Sequence, residues 1–468
     1  MNKKVPERVE NDTMGEMRLP SNALYGASTQ RAVLNFPISG LRMPTEFIRC
    51  LGRVKRASSE ANRKLGILDD DLAVLINQAT GEIVEGLLDD QFVVDVFQTG
   101  SGTSTNMNAN EVIANRCSQL SGELLGSRNP VHPNDHANLS QSSNDVIPTA
   151  LHVSVAMILK DDLMPALGTL ENALREKSEA WTGTIKVGRT HTMDAIPVTM
   201  GQVFEGYATQ VAKSIKRVER AIELMHELAI GGTAVGTGLN APYEFGSLVC
   251  SILREDTGID FREAGCHFEA QSGRDDAVEV AGILSAIAAS LGKIASDIRL
   301  LGSGPRAGLS ELRLPPVQPG SSIMPGKVNP VMCEMMIQVS HYVSGLCHTV
   351  ARCGQDGQFE LNATLPLIVH CLHESIGCLA SASRAFAEKC VEGLEVDEER
   401  CRALVDKSLM LVTALNPIVG YDEAAKIAKR AFEENKTLLE IVVEMGLMSE
   451  NEGKAILDPK NLLKGRFS

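Results

Sequence analysis

Apolar residues recur at helical spacing through the middle of the chain. Val280, Leu284, Ile287, Leu291, Ile294, Ile298 and Leu301 follow one another at steps of 4, 3, 4, 3, 4 and 3. This heptad-like seam predicts one helix of about six turns, ~30 Å long. Phe204, Tyr207, Val211, Ile215, Val218, Ile222 and Met225 form a second stripe, and Leu163, Leu167, Leu170 and Leu174 a third. Between the seam positions lie small residues such as Ala286, Ala288 and Ala289, which allow close approach on further faces. Helices that are apolar on several faces need partners on several sides. A large monomeric bundle would meet that need; a bundle extended by subunit association meets it better, so an oligomer is expected. Period-two alternation is weak everywhere, so any sheet is small.

Texture divides the chain into three regions, read as three domains of an all-α, mainly helical protein. Residues 1–139 mix short helical pieces with polar turns such as Arg18-Leu19-Pro20-Ser21-Asn22. Residues 140–396 carry the long helices, separated by short glycine-rich loops. Residues 397–468 read as short amphipathic helices with a turn near Asn416-Pro417.

Bulk properties narrow the function. A net charge of −14 repels nucleic acid and anionic membranes, so neither is an expected partner. Aromatics at 4%, with one tryptophan, argue against a surface for stacking bases or sugars. Eleven cysteines without a CxxC pair read as free thiols in a reducing compartment. The polar stretch Met1–Val9 lacks a signal-peptide core, and no run of about 18 uninterrupted apolar residues occurs, so a cytoplasmic protein is expected.

Four polar segments interrupt the helical pattern, and loops of this kind carry function more often than connectors do. The first, Gln98 to Asn108, combines hydroxyls, amides and glycines ahead of a helix expected near Asn110-Glu111, which makes it either a ready anion site or an elaborate N-cap loop. The second contains His132-Pro133-Asn134-Asp135-His136 and then Ser142-Ser143-Asn144, an anion cradle at a helix start with Pro148 near that start. His132 and His136 have a metal-pair spacing, but Pro133 and the missing glutamate of HExxH argue against metal. The third, Gly188 to Asp194, offers His191, an acid/base candidate, although a lone histidine is more often a satisfied structural one. The fourth runs from Gly320 to Pro330, a mobile glycine-bounded loop with Ser321, Ser322 and the cation Lys327. Its last two residues, Asn329 and Pro330, sit at the cap and first position of a helix that carries Glu334 in its second turn. A further glycine-rich stretch, Gly231 to Gly238, lacks the GK[ST] ending of a nucleotide loop, and close helix-to-loop packing explains it better.

Gly320 to Pro330 resembles the signature of the fumarase/aspartase superfamily, whose members share a helical fold and eliminate a group to release fumarate. The likeness runs through all four segments and nearly the whole chain. His191 after Arg189-Thr190, Ser142-Ser143-Asn144-Asp145, Pro325-Gly326-Lys327 and Gly357 to Asn362 are more similar to class II fumarases than to aspartases. Ser104-Thr105 leans toward aspartase. The basic pattern before His132 is altered to Ser127-Arg128-Asn129-Pro130, Leu139 stands where lysine is usual, and Ala363-Thr364-Leu365 lacks the usual basic residue before Pro366.

The resemblance implies a three-domain chain whose central helices build the core of a homotetramer, with each active site shared between subunits. It implies reversible hydration of fumarate to (S)-malate by anti addition and elimination, without metal or organic cofactor. Ser321 would be the base that takes the C3 proton of malate, its oxyanion stabilised by loop N–H groups. His191, assisted by Glu334, would handle the proton on the departing or attacking water. Lys327 and Asn329 would bind a substrate carboxylate, with Ser101, Thr103, Ser142, Ser143, Asn144, Thr190 and Ser322 as further donors. His132, Asn134 and Asp135 match a second anion site. The alternatives are aspartate ammonia-lyase, or another fumarate-releasing lyase, and a non-catalytic relative that kept the fold.

Overall fold

The computed structural model describes residues 6–463. Helix makes up 61% of it, and strands occur only in small two-stranded sheets. The architecture is mainly helical, as the stripes predict. The chain forms two compact units. The first takes the chain up to Pro165, then Lys216–Ala288 and Ser340–Ala380; the second takes Ala166–Ile215, Ala289–Val339 and the chain from Ser381 onward.

In chain order, the first unit opens with the antiparallel hairpin β1 (Glu7–Asp12) and β2 (Gly15–Pro20), followed by α1 (Ala27–Asn35), α2 (Thr45–Lys64), α3 (Asp70–Val84), α4 (Thr103–Leu120) and α5 (Ser143–Ile158). Next come α6 (Met164–Ala180), the hairpin β3 (Ile185–Thr190) and β4 (Met193–Thr199), and the 25-residue α7 (Met200–Leu224). After α8 (Phe245–Thr257) and α9 (His267–Ser272) run three long helices, α10 (Asp275–Leu301), α11 (Val331–Gly354) and α12 (Leu365–Phe386). The short helices α13 (Glu398–Lys407), α14 (Asn416–Val419), α15 (Tyr421–Glu434), α16 (Leu438–Glu444) and α17 (Glu450–Ile456) finish the second unit around Leu415, Ile427, Ile441 and Val442.

All seven seam residues of α10 are buried. Its Ala286 and Ala289 are exposed, and only 44% of its most apolar window, with mean hydropathy 1.6, is covered. By length and composition, α10 and the stretch Leu365–Val391 could each cross a membrane; 67% of the latter's window is buried, which is the pattern of a core helix. All eleven cysteines are free, and Cys266 is the exposed one.

One boundary departs from expectation. The helix expected near Asn110-Glu111 begins seven residues earlier, at Thr103, so Thr103 is its first residue rather than part of a preceding loop. Ser, Thr and Asn are weak helix formers because their side chains compete for backbone groups. Here tertiary partners occupy them. Asn108 Nδ2 donates to the Gln91 carbonyl at 3.0 Å, and Asn115 Nδ2 donates to the Leu24 carbonyl at 2.9 Å. Glu111, also on α4, accepts from the N–H groups of Gly26, Ser28 and Thr29 at 2.9, 2.9 and 3.1 Å and from the Thr29 hydroxyl at 2.6 Å. It therefore caps the start of α1 from a distant part of the chain. Glu111→Ala leaves those donors unpaired in a buried place, and a loss of about 3 kcal/mol is expected, read as a lower denaturant midpoint.

Candidate active site

In the first unit, the start of α4 and the start of α5 meet. Gly102 precedes α4 with φ +75°, a left-handed turn that glycine adopts without steric cost. Gly100 packs so tightly that a Cβ would lie 1.7 Å from the Ala363 carbonyl oxygen, which excludes every other residue. These turns bring three hydroxyls together: Thr103 Oγ1 lies 2.7 Å from Ser101 Oγ and 2.8 Å from Ser143 Oγ. Three residues singled out in two separate segments thus form one cluster between two helix N-termini, where N–H dipoles favour an anion.

Ser142 caps α5: its Oγ accepts from Asn144 N–H at 3.2 Å, while Asp145 Oδ1 accepts from Ser142 N–H at 2.9 Å. Asn144 Nδ2 donates to the Ala234 carbonyl at 2.8 Å. Asp145, not singled out from sequence although its capping-box spacing was visible, is fully buried and holds the glycine-rich loop. Its Oδ2 accepts from Gly231 N–H at 3.2 Å and Thr233 N–H at 2.9 Å, and burial pushes its pKa up to about 6. A Cβ on Gly232 would lie 2.4 Å from Gln271 Oε1, so this loop is a close-packing device as expected. Ser104 and Thr105 turn inward: Ser104 Oγ lies 3.0 Å from Thr99 Oγ1, and Thr105 Oγ1 donates to Gln98 Oε1 at 2.8 Å.

His132, Asn134 and Asp135 form a turn in the same unit. His132 Nδ1 accepts from Asn134 N–H at 3.3 Å and Asp135 N–H at 3.1 Å. The same nitrogen lies 3.2 Å from Asp135 Oδ2, and burial lowers the His132 pKa. His136 Nδ1 accepts from His132 N–H at 2.9 Å, so both rings serve the turn. Among the described residues, no group of three or more His, Cys, Asp or Glu could hold a metal ion.

The other candidates belong to the second unit. Thr190 ends β3, and His191 with Thr192 forms the two-residue tip of the hairpin, at φ +56° and +62°. Two-residue hairpins favour Asn-Gly there because both φ values are positive; a histidine followed by a β-branched threonine is strained. Strain of this kind concentrates at functional positions. A bulge in β4 sets Ala195 and Ile196 opposite Gly188, where a Cβ would lie 2.4 Å from the Ile196 carbonyl oxygen, and the next residue, Arg189, pairs with fully buried Glu311, Nη1 to Oε2 at 2.7 Å. Lys186 Nζ lies 3.6 Å from the same oxygen, and burial lowers its pKa. This pairing anchors the hairpin that presents His191.

The Gly320 to Pro330 loop is closed at its neck. Gly320 N–H donates to the Lys327 carbonyl at 2.9 Å, and Asn329 Nδ2 donates to the Gly320 carbonyl at 2.6 Å. Inside it, Ser321 Oγ accepts from Ile323 N–H at 3.2 Å and Met324 N–H at 3.0 Å. Lys327 Nζ donates to Asn329 Oδ1 at 2.8 Å, and Ser322 and Lys327 are exposed. Half-buried Glu334 lies in the first turn of α11, its N–H donating to the Pro330 carbonyl at 3.1 Å. Among the described residues, no hydrogen bond joins the hairpin tip to this loop.

Comparison with known proteins shows the family. A family model described as a lyase matches residues 15–345, and one described as the fumarase C C-terminus matches residues 411–464. A class II fumarate hydratase of Halobacterium salinarum is 52% identical over 455 residues, covering 97% of each chain. One of Thermosynechococcus vestitus is 49% identical over 445 residues, covering 95% of each. The crystal structure of a class II fumarase from Schistosoma mansoni matches with TM-score 0.96 at 38% identity, over 98% of this chain and 99% of that one. The chain belongs to the class II fumarate hydratase family.

Proposed function

We propose that this chain is a hydro-lyase that interconverts fumarate and (S)-malate. The observation that carries the reading is near full-length identity of 52% to a class II fumarate hydratase, together with a serine whose oxygen already accepts two loop N–H groups. Elimination builds negative charge on the carboxylate next to C3, so a base alone does not suffice; donors must be aimed at that charge. Ser321, as the oxyanion, takes the C3 proton and becomes the hydroxyl. The electron pair left on C3 delocalises into the neighbouring carboxylate as the aci form, then returns to form the double bond as the C2 hydroxyl departs. His191, assisted by Glu334, supplies that hydroxyl's proton, and water leaves. Lys327 and Asn329 hold a substrate carboxylate, with Ser101, Thr103, Ser142, Ser143, Asn144, Thr190 and Ser322 as further donors. No metal or organic cofactor enters this scheme.

The same reading makes the protein a cytoplasmic homotetramer with sites shared between subunits. Its support is α10, whose apolar faces are only partly covered within one chain. It keeps the three-domain division at 1–139, 140–396 and 397–468, with the middle domain as tetramer core, and treats His132, Asn134 and Asp135 as a second anion site. Neither nucleic acid nor membrane is a partner in it.

Aspartate ammonia-lyase is the competing reading, favoured by Ser104-Thr105; the inward bonds of both side chains remove most of that argument. Absorbance of the fumarate double bond, followed with malate and then with aspartate, tests the choice. Fumarate formation from malate alone is expected. Ammonia release from aspartate would overturn the assignment.

A further inference from the structure

Lys55, on α2, is a long charged side chain only 1% exposed. Burying a lysine is costly, and a leucine there would be cheaper, so the position asks what the ammonium does. Its Nζ donates to Asn138 Oδ1 at 2.9 Å and to Gln141 Oε1 at 3.0 Å. Burial pushes its pKa down to about 7, and both the ammonium and the free amine retain the two N–H donors these bonds need.

Both acceptors turn their other ends onto the backbone that leads into the Ser142-Ser143-Asn144 cradle. Asn138 Nδ2 donates to the Gln141 carbonyl at 3.1 Å, and Gln141 Nε2 donates to the Leu139 carbonyl at 3.0 Å. The Gln141–Ser142 peptide is therefore gripped on both sides: its carbonyl by Asn138, its N–H by Asp145 Oδ1 at 2.9 Å. Asn62, two turns along α2 from Lys55, adds a second tie. Its Nδ2 donates to the Leu139 carbonyl at 3.0 Å, and its Oδ1 accepts from Ser140 Oγ at 2.9 Å, where Ser140 is held at φ +63°. Asn106 and Asn110 of α4 crowd the same Asn138 Oδ1 at 3.1 and 3.2 Å and leave their own buried Oδ1 atoms without partners. The amides face Asn138 at the expense of their own acceptors, which makes that oxygen and its lysine the hub of the cluster.

We propose that Lys55 is a positioning residue for substrate: through Asn138 and Gln141 it sets the orientation of the Gln141–Ser142 peptide, and with it the α5 N-terminus that receives a substrate carboxylate. This rests on the fumarate hydratase reading. A cradle that holds the carboxylate equally in ground and transition states governs binding rather than turnover.

The test uses the full-length protein with malate, and with succinate as a dicarboxylate that cannot react. Lys55→Met is expected to raise the KM for malate and the inhibition constant of succinate together, by about tenfold, with kcat changed less than about threefold. Gln141→Met, which cuts one arm, is expected to shift both in the same direction and less. The double variant should be no worse than Lys55→Met, because both act along one path. A fall in kcat at constant KM, or additive effects in the double variant, would overturn the proposal. If Lys55→Met does not assemble, Gln141→Met decides alone, and an unchanged KM overturns the proposal. Native protein that does not turn over malate sinks the functional reading itself, before any variant is compared.

Discussion

Ser321→Ala is expected to lower kcat for malate about 10³-fold while leaving KM within a few-fold of native, since general-base contributions reach this size. The chemistry is specific. A serine hydroxyl is far too weak a base at neutral pH unless its oxyanion is stabilised, and two N–H donors at 3.2 and 3.0 Å are the stabilisation this loop supplies. Alanine keeps the neck of the loop, which is closed by Gly320, Lys327 and Asn329 rather than by Ser321. The proposed carboxylate donors therefore stay in place and only the proposed proton acceptor is lost. Absorbance of the fumarate double bond gives both constants, and a kcat within tenfold of native would remove Ser321 as the base.

Mixing two inactive variants should restore activity. Ser321→Ala and His191→Asn, each at least about 10²-fold down alone, are expected to recover about a quarter of native turnover once dissociated together and reassembled. The fraction follows from chance. A site that draws position 321 from one subunit and position 191 from another is intact when each comes from the right chain, with probability one half for each. Separately refolded samples mixed afterwards serve as the control. Hybrids no more active than the separate variants would show that both residues serve a site from the same chain, and shared sites would be abandoned.

Much of this was legible because it is local. Helical spacing names the buried face of α10 residue by residue, from Val280 to Leu301, since burial repeats with the helix turn. The cap at Ser142 follows from side-chain chemistry a few residues away, whereas α11 begins at Val331, one residue past the expected Pro330, because Asn329 commits its side chain to the Gly320 carbonyl and Lys327 instead of capping. Less visible was the early start of α4, where the poor helix formers Asn108 and Asn115 are held by the carbonyls of Gln91 and Leu24, partners distant in the chain. The hairpin tip at His191-Thr192 escaped for a related reason: its residues are wrong for such a turn, and the buried Glu311 that grips Arg189 lies more than a hundred positions further on.

Local periodicity and motif chemistry thus dictate which segments are helices and which loops gather hydroxyls, amides and charges, because those preferences act over one or two turns. The meeting of Ser101, Thr103 and Ser143, and the grip of Lys55 on the approach to Ser142, come only from the folded chain. Hydrogen bonds require atoms within about 3 Å, and no spacing along a strand of residues encodes which distant atoms will come that close.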